Sequence, residues 1–145
     1  MEFPKILPFA QSMGIELLEF GSGEAALAVT LRPDQCNSWQ VAHGGVTMTL
    51  LDVAMAHAAR APFPDAPPDH RGVVTVEMKT SFLRPGLVRL LCRGRVIHRT
   101  SSLAFCEASV VHADGQLVAH ATGTFKYLRG LPAGGRIIQR PDASD

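Results

Sequence analysis

The run HGGVTMTLLDVAMAHAAR, residues 43–60, constrains the fold more than any other part of the chain. From Val46 to Ala59 nearly every residue is apolar or small, on all sides of any helix drawn through it. A helix that is hydrophobic all round belongs inside a core or a membrane. This one is shorter than the roughly 20 residues that span a bilayer, and it carries Asp52 and His57. It therefore reads as a buried core helix. Its one carboxylate needs a reason to be there, because an ionised acid in apolar surroundings is costly unless it is paired or used.

The rest of the chain supplies what must surround that helix. A short first helix is expected over 4–13, with Pro4 near its start and Gly14 as its stop. Ile15 to Phe20 and Glu24 to Leu31 read as strands on either side of the turn GSG. RPDQCNSWQVAHGG is a polar loop into the helix. The four prolines of APFPDAPPDHRG end the helix and make a loop longer than a connection requires. In GVVTVEMKTSFLRPG, alternation sends Val74, Val76, Met78, Thr80 and Phe82 to one face and Thr75, Glu77, Lys79 and Ser81 to the other. LVRLLCRGRVIHRTSS sets Val88, Leu90, Cys92 and Val96 opposite Arg89, Arg93 and Arg95, which read as a solvated face. Asp114-Gly115 between two apolar runs is a strong hairpin signal. The predicted class is α+β: an antiparallel sheet of five or six strands curled around one long buried helix. A single domain over 1–128 is expected, followed by a flexible tail over 129–145.

Composition narrows the function by exclusion. A formal net charge of +1, with 19% charged residues, leaves no electrostatic footprint for nucleic acid. An apolar fraction of 46% hints that some surface is hidden in an oligomer. Cys36, Cys92 and Cys106 have no C-x-x-C spacing and read as reduced thiols of a cytoplasmic protein. The N-terminus, with an acid at position 2 and prolines in its apolar run, does not read as a signal peptide, and no membrane association is expected. His70, His98, His112 and His120 lack metal-ligand spacing, so no metal is expected.

This architecture, together with NSWQVAHGGVTMTLLD, resembles the hotdog-fold acyl-CoA thioesterases, and among them the phenylacetyl-CoA thioesterase (PaaI-like) branch. The likeness covers roughly residues 10–127. It rests on Asn37, on His43-Gly44-Gly45, on Asp52, and on the following strand with its Arg84-Pro85 step. The resemblance implies a hotdog fold that hydrolyses acyl-CoA to free acid and coenzyme A without a cofactor. It implies Asp52 as the catalytic carboxylate, acting as nucleophile or as general base for water, and the Gly44 amide as holder of the thioester oxygen, with Asn37 and His43 shaping the site. Thr75 matches a position where the family can carry a hydroxyl that orients water or the carboxylate. Gly45 is expected beside the substrate and Arg84 near the coenzyme A phosphates. A homodimer with shared active sites, paired again into a tetramer, is also implied.

The same residues make chemical sense unaided. Gly44 and Gly45 open the helix, where backbone N–H groups are unpaired and the helix dipole favours negative charge. Such donors are worth roughly 3–4 kcal/mol in acyl transfer. Apolar surroundings should raise the pKa of Asp52 and make it a better base near neutrality. Gly44 and Asp52 are eight residues apart, however, which is about 12 Å of helix. Both cannot reach one carbonyl carbon from the same helix. If both act in one reaction, they come from different chains, through antiparallel pairing of two helices across a twofold axis.

Plainer readings stand beside these. A buried acid can pair with an arginine, two glycines can merely turn the chain into a helix, Asn37 can be a turn residue, His43 can hold the loop, and Thr75 can be an ordinary strand threonine. His57, off the face of Asp52, reads as structural. Two other functions compete: a hotdog hydratase or dehydratase, and an acyl-CoA-binding protein without turnover. Neither an H-F-P nor a D-x-N-P-x-H run occurs, and the intact Asp52 speaks against loss of turnover. No G-x-S-x-G, P-loop or G-x-G-x-x-G is present.

Overall fold

The apolar run forms one 17-residue helix, Gly44–Arg60, in a computed structural model that describes residues 1–67, 69–133 and 136–138. The elements run α1 (Pro8–Ser12), β1 (Glu16–Gly21), β2 (Glu24–Thr30), a 3-10 turn (Pro33–Gln35), α2 (Gly44–Arg60), β3 (Gly72–Phe82), β4 (Arg89–Arg99), β5 (Leu103–Val111) and β6 (Leu117–Leu128). A small ribbon, β7 (Leu131–Ala133) with β8 (Arg136–Ile138), falls within the expected tail, whose residues 134–135 and 139–145 lie outside those described. Six strands make one antiparallel sheet in the order β1-β2-β4-β5-β6-β3. Helix α2 carries the chain from β2 to β3 at the far edge and packs against all six strands. This is the hotdog arrangement, α+β.

Burial explains why the sheet curls around α2. Leu50, Leu51, Ala54, Met55 and Ala58 have no exposed surface, and neither do Leu90, Ala104, Val110, Ala121 and Phe125 of the sheet. Alanines on the sheet let the helix sit close, and at one point even alanine is too large. A Cβ on Gly94 of β4 would lie 2.6 Å from the Ala54 carbonyl oxygen and 2.7 Å from its carbon. Backbone cannot yield as a flexible side chain can, so Gly94→Ala is expected to destabilise the fold by about 2 kcal/mol or more, measured by chemical denaturation. A loss under about 0.5 kcal/mol would mean that α2 moves freely off the sheet.

Several expectations need correction. Helix α1 begins at Pro8 rather than near Pro4, because a proline inside a helix lacks the N–H donor and clashes with the preceding turn, whereas in the first turn it fits. Val74 and Val76 do not continue the inner face of β3. The register against β6 shifts between Thr75 and Glu77, leaving Val76 as an extra residue, 57% exposed. Val73 packs on the core before this bulge and Met78 after it. Val88 does not join Leu90 and Cys92 inside; it precedes β4 at φ 59 and lies exposed. Arg89, Arg93 and Arg95 do form the outer face, paired with Glu16, with Glu19 and Glu24, and with Glu107. Such exposed pairs add little stability. All three cysteines are free, and burial pushes the Cys92 and Cys106 thiols up in pKa. Among the described residues no helix is long and apolar enough to cross a membrane.

Candidate active site

The carboxylate of Asp52 is half-buried and accepts a hydrogen bond from Thr75 Oγ1 at 2.6 Å. The bulge at Val76 makes this possible. It lets Thr75 share the helix-facing side of β3 with Met78, three residues on, which strict alternation would forbid. Burial raises the Asp52 pKa, and the Thr75 hydroxyl, which stabilises the charged form, pulls it partly back. Only Oδ1 is engaged; Oδ2 has no hydrogen-bond partner among the described residues.

A second cluster forms at the other end of α2. The approach to the helix is pinned by backbone bonds from His43 N–H to Gln35 O and from Ala42 N–H to Gly86 O, both 2.9 Å. His43 is the N-cap, and its Nδ1 accepts the Gly45 N–H at 2.9 Å. An accepting Nδ1 carries no proton, so in the neutral ring Nε2 carries it. The Gly45 donor is thereby spent, whereas the Gly44 N–H has no partner among the described residues. Asn37 Oδ1 accepts the Trp39 N–H at 2.9 Å, a turn that shapes the loop and leaves the side-chain amide nitrogen without a partner there. Asn37, Gly44, Thr47, Phe82 and Arg84 line one cleft of about 440 Å³. Arg84 is exposed and donates from Nη1 to Leu117 O at 2.9 Å.

One chain thus brings Asp52 and Thr75 together, and separately Gly44, His43, Asn37 and Arg84, with about 12 Å of helix between Gly44 and Asp52. The first cluster holds a carboxylate tuned toward basicity. The second holds an open amide donor at a helix N-terminus, suited to a developing oxyanion. Alternation places Phe82 only on one face of β3, with Met78 and Thr80. It is 55% exposed, and its ring lies 3.5 Å from where a Cβ on Gly44 would stand. Its position beside the glycine pair depends on tertiary approach, for which the strand pattern carries no signal. His57 is structural: Nδ1 donates to Val53 O at 2.8 Å, the ring meets Phe3 and Phe20 edge-on, and burial lowers its pKa to about 4.

The family model of the thioesterase superfamily matches residues 40–119, more than half of the chain and both clusters except Asn37. The chain belongs to the thioesterase superfamily. As a PaaI-like member it is a thioester hydrolase. It is 25% identical over 129 residues to the acyl-coenzyme A thioesterase PaaI of Escherichia coli, covering 86% of each. The phenylacetic acid degradation protein PaaI of Thermus thermophilus, solved as a mutant, is similar at 29% identity and a TM-score of 0.72, over 83% of this chain and 99% of that one. A Bacillus halodurans protein solved with CoA is also similar, at 29% identity and a TM-score of 0.74, over 86% of this chain and 80% of that one.

For this thioesterase the Thr75 hydrogen bond offers a direct test. Thr75→Val keeps the shape but removes the group that stabilises the charged carboxylate. The pKa of Asp52 then rises further, so the acid limb of the kcat/KM profile should move to higher pH. The rate at neutral pH should fall about tenfold, the value of one hydrogen bond to a charged group. A profile that stays in place would show that Thr75 does not tune Asp52.

Proposed function

We propose that this thioesterase hydrolyses acyl-coenzyme A to free acid and coenzyme A as a homodimer, each active site combining Gly44 of one subunit with Asp52 of the other. The observation that carries the reading is the pairing, on one helix, of an unspent amide donor at its start and a half-buried, threonine-bound carboxylate two turns on. Neither half can perform the reaction alone. The relatives named for acyl-coenzyme A or solved with CoA point to that carrier.

The edge strand supports the dimer. β3 is 11 residues long and, among the described residues, pairs on one side only, with β6. A long open edge of this kind invites a further strand. Met48, Val76, Phe82 and Leu83 leave apolar surface exposed on β3, beside its end and on the adjoining helix. Pairing two β3 strands about a twofold axis sets two α2 helices antiparallel and brings Gly44 of each toward Asp52 of the other.

In the reaction the thioester carbonyl oxygen accepts the Gly44 N–H. Asp52 Oδ2 takes a proton from water as the water oxygen attacks the carbonyl carbon. The negative charge that gathers on the carbonyl oxygen is held by the amide and the helix dipole. Collapse of the tetrahedral species breaks the C–S bond, and the protonated Asp52 returns its proton to the leaving thiolate. Thr75 holds Oδ1, so the free oxygen keeps a fixed direction. His43 fixes the entry to the helix, and with it the direction of the Gly44 amide.

Incubation with a panel of acyl-CoAs and a thiol-detecting dye tests the activity. Thiol release is expected for at least one acyl group. A change in enoyl absorbance without thiol release would mean hydration, and binding without either would mean a carrier.

A further inference from the structure

The outer face of the sheet carries a cluster that the reaction above does not use. Ser109 and Glu107 stand on β5 and His120 on β6. Their chain neighbours Cys106, Ala108 and Val110, and Ala119 and Ala121, are buried in the core. Alternation therefore turns these polar side chains away from α2 and Asp52. Ser109 and His120 face each other in register, and Ser109 Oγ lies 2.8 Å from His120 Nδ1. The other ring nitrogen, Nε2, lies 3.8 Å from Glu107 Oε2. Glu107 is held in turn by Arg95, through Oε1.

This order of groups has a chemical direction. The negative charge of Glu107 favours the ring proton on Nε2, the nitrogen beside it. Nδ1 is then bare, and the Ser109 hydroxyl donates to it. When that hydroxyl attacks a carbon, its proton passes to Nδ1, and the carboxylate stabilises the imidazolium that forms. A nucleophile, a base within hydrogen-bond reach and a third group beside the base are the parts that activate a serine. They are recognised by role and geometry, not by position in the chain. The gap of 3.8 Å is longer than a hydrogen bond, as such contacts often are without substrate.

The surroundings set the substrate class. The side chains of His120 and Glu107 are 38% and 27% exposed, so small molecules reach them. Ser109 lies mid-strand between β4 and β6, so its backbone N–H belongs to the sheet ladder and is not free to hold an oxyanion. Without that help the leaving group must be a good one. A phenolate is.

We infer that Ser109, with His120 as its base and Glu107 as a positioning residue, is a second nucleophile that takes the acyl group of small aryl esters. Ser109 Oγ bonds to the ester carbonyl carbon while its proton passes to His120 Nδ1. The bond from that carbon to the phenolate oxygen breaks, and the phenolate leaves with the ring's proton. Water then attacks the same carbon, giving a proton to His120. The acid departs, and the ring returns the proton to Ser109. Neither Gly44 nor Asp52 takes part.

A fluorophosphonate probe, which bonds to activated serines with loss of fluoride, tests the assignment. Peptide mapping by mass spectrometry should find the adduct on Ser109. His120→Gln should slow the labelling about a hundredfold, the value of a general base. In the Asp52→Asn protein, p-nitrophenyl acetate should give a burst of about one phenolate per chain, because the serine ester is less activated than the aryl ester. Adding Ser109→Ala should remove that burst. Nitrogen-15 spectra of the His120 ring should place its proton on Nε2, a preference that Glu107→Ala should weaken. A probe that leaves Ser109 unlabelled in the unaltered chain overturns the inference, and this arm needs no variant to fold. So does a burst that survives Ser109→Ala, or labelling that His120→Gln does not slow. A ring proton on Nδ1 overturns the roles given to His120 and Glu107, and leaves Ser109 and His120 as an ordinary cross-strand pair.

Discussion

Asp52→Asn is expected to lower kcat by roughly a thousandfold or more while the protein still folds. The amide keeps the shape of the carboxylate, and its oxygen can still accept the Thr75 hydroxyl, but it cannot take a proton from water. A rate above about a tenth of wild type would remove Asp52 from the chemistry. The same variant has a second, opposite consequence. Burial holds the native Asp52 pKa above its ordinary value, so between the unfolded and native values the folded protein retains a proton that the unfolded chain has lost. Stability therefore falls as pH rises through that window, and the full cost of the buried charge is present above it. Asparagine has no charge to bury. Asp52→Asn should melt at a higher temperature than wild type at neutral pH, and the difference should vanish in acid below the ordinary carboxyl pKa. The role proposed for Asp52 gives a reason for keeping a group that destabilises the fold it sits in.

The fold was legible where composition leaves one choice. Residues 46–59 are apolar all round, so the helix had to be enclosed, and strands with one apolar face had nothing else to enclose. The reading fails where backbone geometry departs from its regular period. Val76 is an ordinary β-branched strand residue, and nothing in GVVTVEMKTSF marks it as the bulge that turns Thr75 toward Asp52. Val88 is another good strand residue, yet it stands at φ 59, where β-branched side chains are strained. The site residues Asn37, His43, Gly44, Asp52 and Thr75 came from their spacing and the family likeness, and the hydrogen bonds then divide them into two groups. The approach of Phe82 to Gly44 needed the fold itself, because it joins the end of a strand to the start of a helix. The gap between Gly44 and Asp52 was legible from helix rise alone, and it leads to the strongest remaining test.

Two inactive variants should restore activity when mixed. Asp52→Asn lacks the base. Gly44→Pro lacks the amide donor, and it suits its position: Gly44 is the first residue of α2, where proline is tolerated, and His43 before it has φ −60 and ψ 139, which proline favours in its predecessor. Phe82 lies at ordinary contact distance from a Cβ there, so the ring finds room. Each variant alone should be nearly inactive. If subunits exchange, half of the dimers are mixed. In each mixed dimer one site carries both lesions and the other carries neither. Activity should then recover to as much as about a quarter of wild type. Native mass spectrometry of differently tagged subunits shows whether exchange has occurred, and circular dichroism shows whether Gly44→Pro is folded. A site contained within one chain predicts a different result, since every subunit would carry a lesion in its own site and mixing would restore nothing. Mixed dimers that form from folded subunits and stay inactive would therefore show that Gly44 and Asp52 do not meet across an interface.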